Sequence, residues 1–124
     1  MIRDLDMVML FAADVDRAVA WYTDVLGLTL RARHGDFAVF ETGGAPLALH
    51  GGADPAAAAS HSASATPVLR VDDYPAAKAA LQAKGCIFTF ENTTPGAVFG
   101  SFNDSEGNAL QIIQRTAGAI GNNG

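Results

Sequence analysis

Few of the 124 side chains are equipped for chemistry, and those few are scattered. His50 closes the apolar run Pro46-Leu47-Ala48-Leu49, where an imidazole could take or give a proton near neutral pH. Arg70 ends a second such run, Pro67-Val68-Leu69, and is suited to orienting an anion or forming an ion pair. His34 falls in a His-Gly-Asp turn and His61 in an Ala/Ser tract, so both read as exposed loop residues. The lone Cys86 opens the run Ile-Phe-Thr-Phe and reads as a small buried hydrophobe. One thiol excludes an intrachain disulfide and a cysteine metal cluster. No serine elbow, dinucleotide-type Gly-x-Gly-x-x-Gly or phosphate loop is present. Catalytic chemistry therefore reduces to His50 as a lone acid or base, helped by Arg70 or by an arginine of the second strand.

Composition narrows the partners. The net charge is −5 and the pI about 4.9, with no Lys/Arg cluster, so the chain is expected to bind no nucleic acid. No apolar run reaches the roughly 18 residues a membrane span needs, so no membrane partner is expected. The start, Met-Ile-Arg-Asp-Leu-Asp, lacks a signal-peptide core, and a cytoplasmic location is expected. Apolar residues at 49% and charged ones at 17% fit one compact domain over residues 1–124.

The elements that must hold these residues follow a plan that occurs twice. Met7 to Leu30 reads as a strand, an Asp-bearing turn, an amphipathic helix and a glycine stop leading into the next strand. The plan restarts at Thr66, with Met7 opposite Thr66 and Asp14 opposite Asp73. Residues 4–51 form the first βαβββ module and 66–115 the second, joined by a connector over 52–65 and followed by a frayed tail over 116–124. In the first module, strands are expected at Leu5–Ala12, Leu28–Arg33, Phe37–Glu41 and Pro46–His50. Asp14 or Asp16 caps a helix with Val15, Val19, Tyr22 and Leu26 at helical spacing, Ala18 and Val25 broadening that face. Gly27 stops it, and Trp21 lies off the stripe, at a helix–sheet margin or a subunit contact. In the second module strands are expected at Thr66–Val71, Cys86–Glu91, Ala97–Asn103 and Ala109–Gln114. The intervening helix starts at Asp73-Tyr74-Pro75, shows Ala77, Ala80, Leu81 and Lys84 on one side, and stops at Gly85. The connector turns at Asp54-Pro55, with a helical turn over Pro55 to Ala59.

Strand alternation then sorts the side chains. Val8, Leu10, Ala12, Leu47, Leu49, Leu69, Val71, Leu110 and Ile112 should face the helices. Met7, Met9, Phe11, Ala48, His50, Thr66, Val68, Arg70, Gln111 and Ile113 should share the opposite face, joined by Arg31 and Arg33. That face is mostly apolar with a few polar groups, the composition of a small-molecule site.

The stretch LDMVMLFAADVDRAVAWYTDVLGL resembles the opening βα unit of the vicinal oxygen chelate superfamily, which includes glyoxalase I, bleomycin-resistance proteins and extradiol dioxygenases. FNDSEGNALQIIQ is similar to that superfamily's closing hairpin and last strand, so the resemblance spans about residues 4 to 115. It implies an α+β fold in which two βαβββ modules form a cupped mixed sheet, usually in a homodimer, with the ligand in the cup. It also implies four metal-ligand positions, which here carry Met7, Ala48, Thr66 and Gln111. A thioether, a methyl, a hydroxyl and an amide do not build a site for Zn²⁺, Ni²⁺ or Fe²⁺, nor do they offer the carboxylate base of glyoxalase chemistry.

The expected function is metal-independent binding of a small organic molecule, with no cofactor, possible drug sequestration of the bleomycin-resistance type being one form of it. Met7, Met9, Phe11, Val68 and Ile113 would supply apolar area, while Arg33, His50, Thr66, Arg70 and Gln111 choose orientation. Two alternatives stay open: a metal-free isomerase, epimerase or lyase using His50, and a small dimeric structural or regulatory protein with a vestigial pocket.

Overall fold

The computed structural model describes residues 1–52 and 65–116. The expected helical turn at Pro55–Ala59, His61 and most of the tail lie outside the described residues. The chain divides into two compact units: residues up to Ala65 together with Asp104–Asn108, and Thr66–Asn103 together with the chain from Ala109 onward.

In the first unit, β1 (Val8–Phe11) leads into α1 (Val15–Asp24), then β2 (Thr29–His34), β3 (Phe37–Glu41) and β4 (Leu47–His50). The strands form an open mixed sheet in the order β1-β4-β3-β2, with β1 parallel to β4 and the other pairs antiparallel. Asp14 caps α1, its carboxylate accepting from the Arg17 N–H at 3.0 Å. The helix ends at Val25, and Gly27 takes the left-handed conformation (φ +73°) that turns the chain toward β2. Val15, Ala18 and Tyr22 of α1 are buried together with Leu10, Ala38, Phe40, Leu47 and Leu49 of the sheet. Tyr22 stacks on Phe40 with ring centroids 5.5 Å apart, and burial of each ring contributes about 1.5–3 kcal/mol. Trp21 is half-buried, edge-on to Tyr22.

The second unit repeats the order: β5 (Val68–Arg70), α2 (Tyr74–Ala83), β6 (Phe90–Thr94), β7 (Ala97–Asn103) and β8 (Ala109–Arg115). Its sheet runs β5-β8-β7-β6, again with the first pair parallel. Asp73 caps α2 through the Ala76 N–H, and Pro75 occupies the first turn, where its missing N–H costs nothing. Tyr74, Leu81, Cys86, Phe102, Leu110 and Ile112 are buried.

Several boundaries differ from expectation. β1 and β5 are shorter than Leu5–Ala12 and Thr66–Val71: the ladder covers Val8–Phe11 and Val68–Arg70, although the Ala12 and Val71 N–H groups still bond the His50 and Ile113 carbonyls. β6 begins at Phe90, not Cys86: residues 86–89 run outside regular structure, although the Thr89 N–H still bonds the Ser101 carbonyl. The turn Asp104–Asn108 connects two strands of the second sheet but belongs to the first unit.

Candidate functional site

Each sheet has one face against its helix and one without. Cross-strand register places most, but not all, of the expected residues on the faces without a helix. On the first sheet, Met9, Ala48, Val39 and Ala32 form one row of the open face, and Phe11, His50, Phe37 and His34 form the next. Ala48 is fully buried within its row, while Met9 is exposed. His50 is exposed, its ring 5.7 Å from Phe11 and 6.2 Å from Phe37. Glu41 shares this face and pairs with Arg31 at 3.3 Å, both side chains more than half exposed, a geometry that adds little stability. Met7 stands just before β1, half-buried.

On the second sheet, Val68, Gln111, Ser101 and Phe90 align across the open face, followed by Arg70, Ile113, Phe99 and Asn92. Gln111 donates through Nε2 to the Ser101 hydroxyl at 3.0 Å. The Phe90 and Phe99 rings lie 6.1 Å apart. Thr66 precedes β5 and is exposed.

Arg33 does not join the open face. A β-bulge between Leu30 and Ala32 breaks the alternation of β2, so Arg33 aligns with Ala38 and Leu49 on the helix-facing side. There its Nη2 donates to Asp16 of α1 at 2.6 Å and its Nε to the Gly35 carbonyl. Glu91 of β6 likewise turns away from the open face of its own sheet. It aligns with Gly100 and Ile112 and accepts from Tyr74 Oη at 2.8 Å and from Lys78 Nζ at 2.6 Å. The hydrogen bonds from Lys78 and then Tyr74 hold its carboxyl below the usual range. Phe37, Val39, Phe90, Asn92, Phe99 and Ser101 also lie in these rows, on strands β3, β6 and β7 whose faces alternation had left unassigned. The alternation Phe37-Val39-Glu41 was the available signal.

The end of β1, which carries Phe11, is fixed by a buried polar cluster. Asn108, 1% exposed, donates through Nδ2 to the Phe11 carbonyl at 3.0 Å and to Asp104 Oδ2 at 2.9 Å. Asp104 also accepts from Tyr22 Oη at 2.6 Å and from the N–H groups of Glu106 and Asn108. Burial, followed by the adjacent Asp104 carboxylate, pushes the Tyr22 phenol far up. Glu106, with its side chain 1% exposed, accepts from Arg17 Nε at 2.6 Å, from Arg17 Nη2, from the Asp14 N–H and from Ser105. Burial pushes its carboxyl up, but these hydrogen bonds, Arg17 first, outweigh it and hold the group below its usual range. Asn108 Oδ1 is buried with no hydrogen-bond partner among the described residues.

The donors present do not fit a resident metal. Among the described residues no group of three or more His, Cys, Asp or Glu side chains converges in a way that could hold a metal ion. The position Ala48 offers a methyl flanked by Met9 and Val39. Gln111 directs its amide nitrogen at Ser101. Among the described residues no helix is long and apolar enough to cross a membrane.

Comparison with known proteins places this arrangement. The family described as the Glyoxalase/Bleomycin resistance protein/Dioxygenase superfamily matches residues 4–112. No curated protein matches the chain significantly. Among solved structures, a glyoxalase/bleomycin resistance protein/dioxygenase from Nocardioides is 21% identical with a TM-score of 0.71, over 96% of this chain and 87% of that one. A lactoylglutathione lyase from Agrobacterium tumefaciens is 22% identical with a TM-score of 0.72, over 92% and 95%. A glyoxylase/bleomycin resistance protein/dioxygenase domain from Frankia sp. EAN1pec is 19% identical with a TM-score of 0.72, over the whole of both chains. Likeness at this level of identity carries the fold and not the activity.

Proposed function

The chain belongs to the Glyoxalase/Bleomycin resistance protein/Dioxygenase superfamily, and from that premise we propose that it binds a small organic molecule on an open sheet face without using a metal. One observation carries this reading: the row Met9, Ala48, Val39, Ala32 is apolar from end to end, at the strand position where the resemblance implies a metal ligand. A ligand lying there is held by apolar area, roughly 2.5 kcal/mol gross for each 100 Å² removed from water. Costs of immobilisation reduce that figure. His50, on the same face, supplies a polar group that selects orientation; Arg70 and Gln111 lie on the open face of the second sheet. Association into a homodimer is part of the proposal.

Sequestration of a drug, with no bond changed, is the form the reading takes by analogy with the bleomycin-resistance proteins. Glu41, the acid on the first open face, is already paired with Arg31. That pairing favours a neutral or weakly polar ligand over a strongly cationic one.

Titration of chelator-treated protein with a neutral naphthalene-based fluorophore tests the proposal. Saturable binding is expected, unchanged on adding Zn²⁺, Ni²⁺ or Fe²⁺, and weakened at least about tenfold by Met9→Glu, which sets a carboxylate in the apolar row. Binding that appears only with added metal, or that ignores Met9→Glu, would refute it.

A further inference from the structure

His50 is held in a way that fixes which of its nitrogens faces a ligand. Nδ1 lies 2.9 Å from the Gly51 carbonyl oxygen, and a carbonyl can only accept, so Nδ1 carries the proton. In the neutral ring Nε2 is then the acceptor. Gly51, whose carbonyl imposes this tautomer, is itself held in place. Its N–H donates to the Asp36 carbonyl at 2.7 Å, and the residue is buried so tightly that a Cβ would sit 3.1 Å from both Asp36 Cβ and Val15 Cβ. Glycine avoids the crowding a side chain would meet there.

The sheet register lays out a strip of rings, Phe11, His50 and Phe37, on three adjacent strands. Phe11 tilts 50° to the imidazole and Phe37 stands at 73°, both within the distances at which aromatic rings attract one another. Phe11 is anchored through its carbonyl by buried Asn108. The neighbouring titratable groups of this unit, His34 and Asp36, belong to the β2–β3 hairpin.

We infer that this strip is a subsite for a planar aryl ring carrying one polar hydrogen, such as a phenolic O–H or a ring N–H, directed at His50 Nε2. The inference rests on the metal-free binding proposed above and narrows it to a ligand class. Offset and edge contacts with Phe11 and Phe37 favour a flat ring over a bulky aliphatic one. A ligand without the hydrogen would desolvate Nε2 and leave it unpaired, the more costly side of the hydrogen-bond balance.

The test compares 4-cyanophenol with its methyl ether, 4-methoxybenzonitrile, by calorimetric titration at neutral pH in the presence of chelator. The phenol is expected to bind about tenfold more tightly than the ether, as one hydrogen bond warrants. His50→Phe, which keeps a flat ring and removes the acceptor, is expected to abolish that preference, weakening the phenol and relieving the ether of its desolvation cost. Binding of the ether that is retained or strengthened in the variant shows that the strip is intact. Phe37→Leu is expected to weaken both compounds. Equal affinities in the wild type, a preference that survives His50→Phe, or no binding of either compound would overturn the subsite. The naphthalene fluorophore and Met9→Glu judge the broader proposal separately, because that substitution lies in the neighbouring row.

Discussion

Asp104 shows how a single side chain can organise its surroundings. Its two oxygens accept from Tyr22 Oη, Asn108 Nδ2 and two backbone N–H groups, so a nearly buried carboxylate is satisfied on every side. Tyr22→Phe removes one charge-assisted bond while keeping the ring on Phe40, and is expected to cost about 1.5–3 kcal/mol in urea unfolding. Glu106 adds a pH dependence. Its folded-state pKa is depressed, so its contribution is fully present above the unfolded value of about 4.3 and is lost as pH falls through the lower folded value. Glu106→Gln should therefore be less stable than wild type at pH 7, with the gap closing as the pH is lowered below about 4. A gap that persists undiminished in acid would remove Glu106 ionisation from the account. Neither role could be read from Asp-Ser-Glu-Gly-Asn beyond its resemblance to a family hairpin, because the partners lie 82 and 89 residues away in sequence.

Secondary structure was largely legible at the level of elements, for reasons that are local. Asp14 and Asp73 each stand where a carboxylate can cap a helix, and each does so through the N–H three residues on. Strand faces followed alternation wherever alternation was unbroken, which is why Met9, Phe11, Ala48, His50, Val68, Arg70, Gln111 and Ile113 lie on open faces as expected. Arg33 failed because one extra residue in β2 reverses every face after it, and nothing in Leu-Arg-Ala-Arg announces a bulge. Gly100 on β7 is the corresponding hidden detail of the second unit. A Cβ there would overlap the Tyr74 hydroxyl and lie 2.8 Å from Phe88, so the glycine leaves the path along which Tyr74 reaches Glu91. Gly100→Ala is expected to destabilise by about 1–3 kcal/mol. Adding Tyr74→Phe, which deletes the clashing oxygen, should restore part of that loss, a non-additivity that thermal unfolding of the two single variants and the double variant would reveal.

At the scale of the whole chain, one βαβββ plan serves twice and yields two four-stranded mixed sheets, each with its own helix. Repetition made the order of elements readable from spacing, the resemblance implied the fold class, and the family match over residues 4–112 agrees with it. The candidate site was only half readable. Its apolar rows follow from strand period, whereas the tautomer of His50 depends on the Gly51 carbonyl and a three-dimensional crossing with the β2–β3 hairpin. Metal independence is the central functional claim, resting on Met7, Ala48, Thr66 and Gln111 as poor donors and on the apolar setting of Ala48. Native mass spectrometry of protein purified without chelator, with metal analysis of the same sample, addresses it most directly. The account predicts a retained small organic mass and no stoichiometric metal; a stoichiometric Zn, Ni or Fe whose removal releases that mass would contradict it.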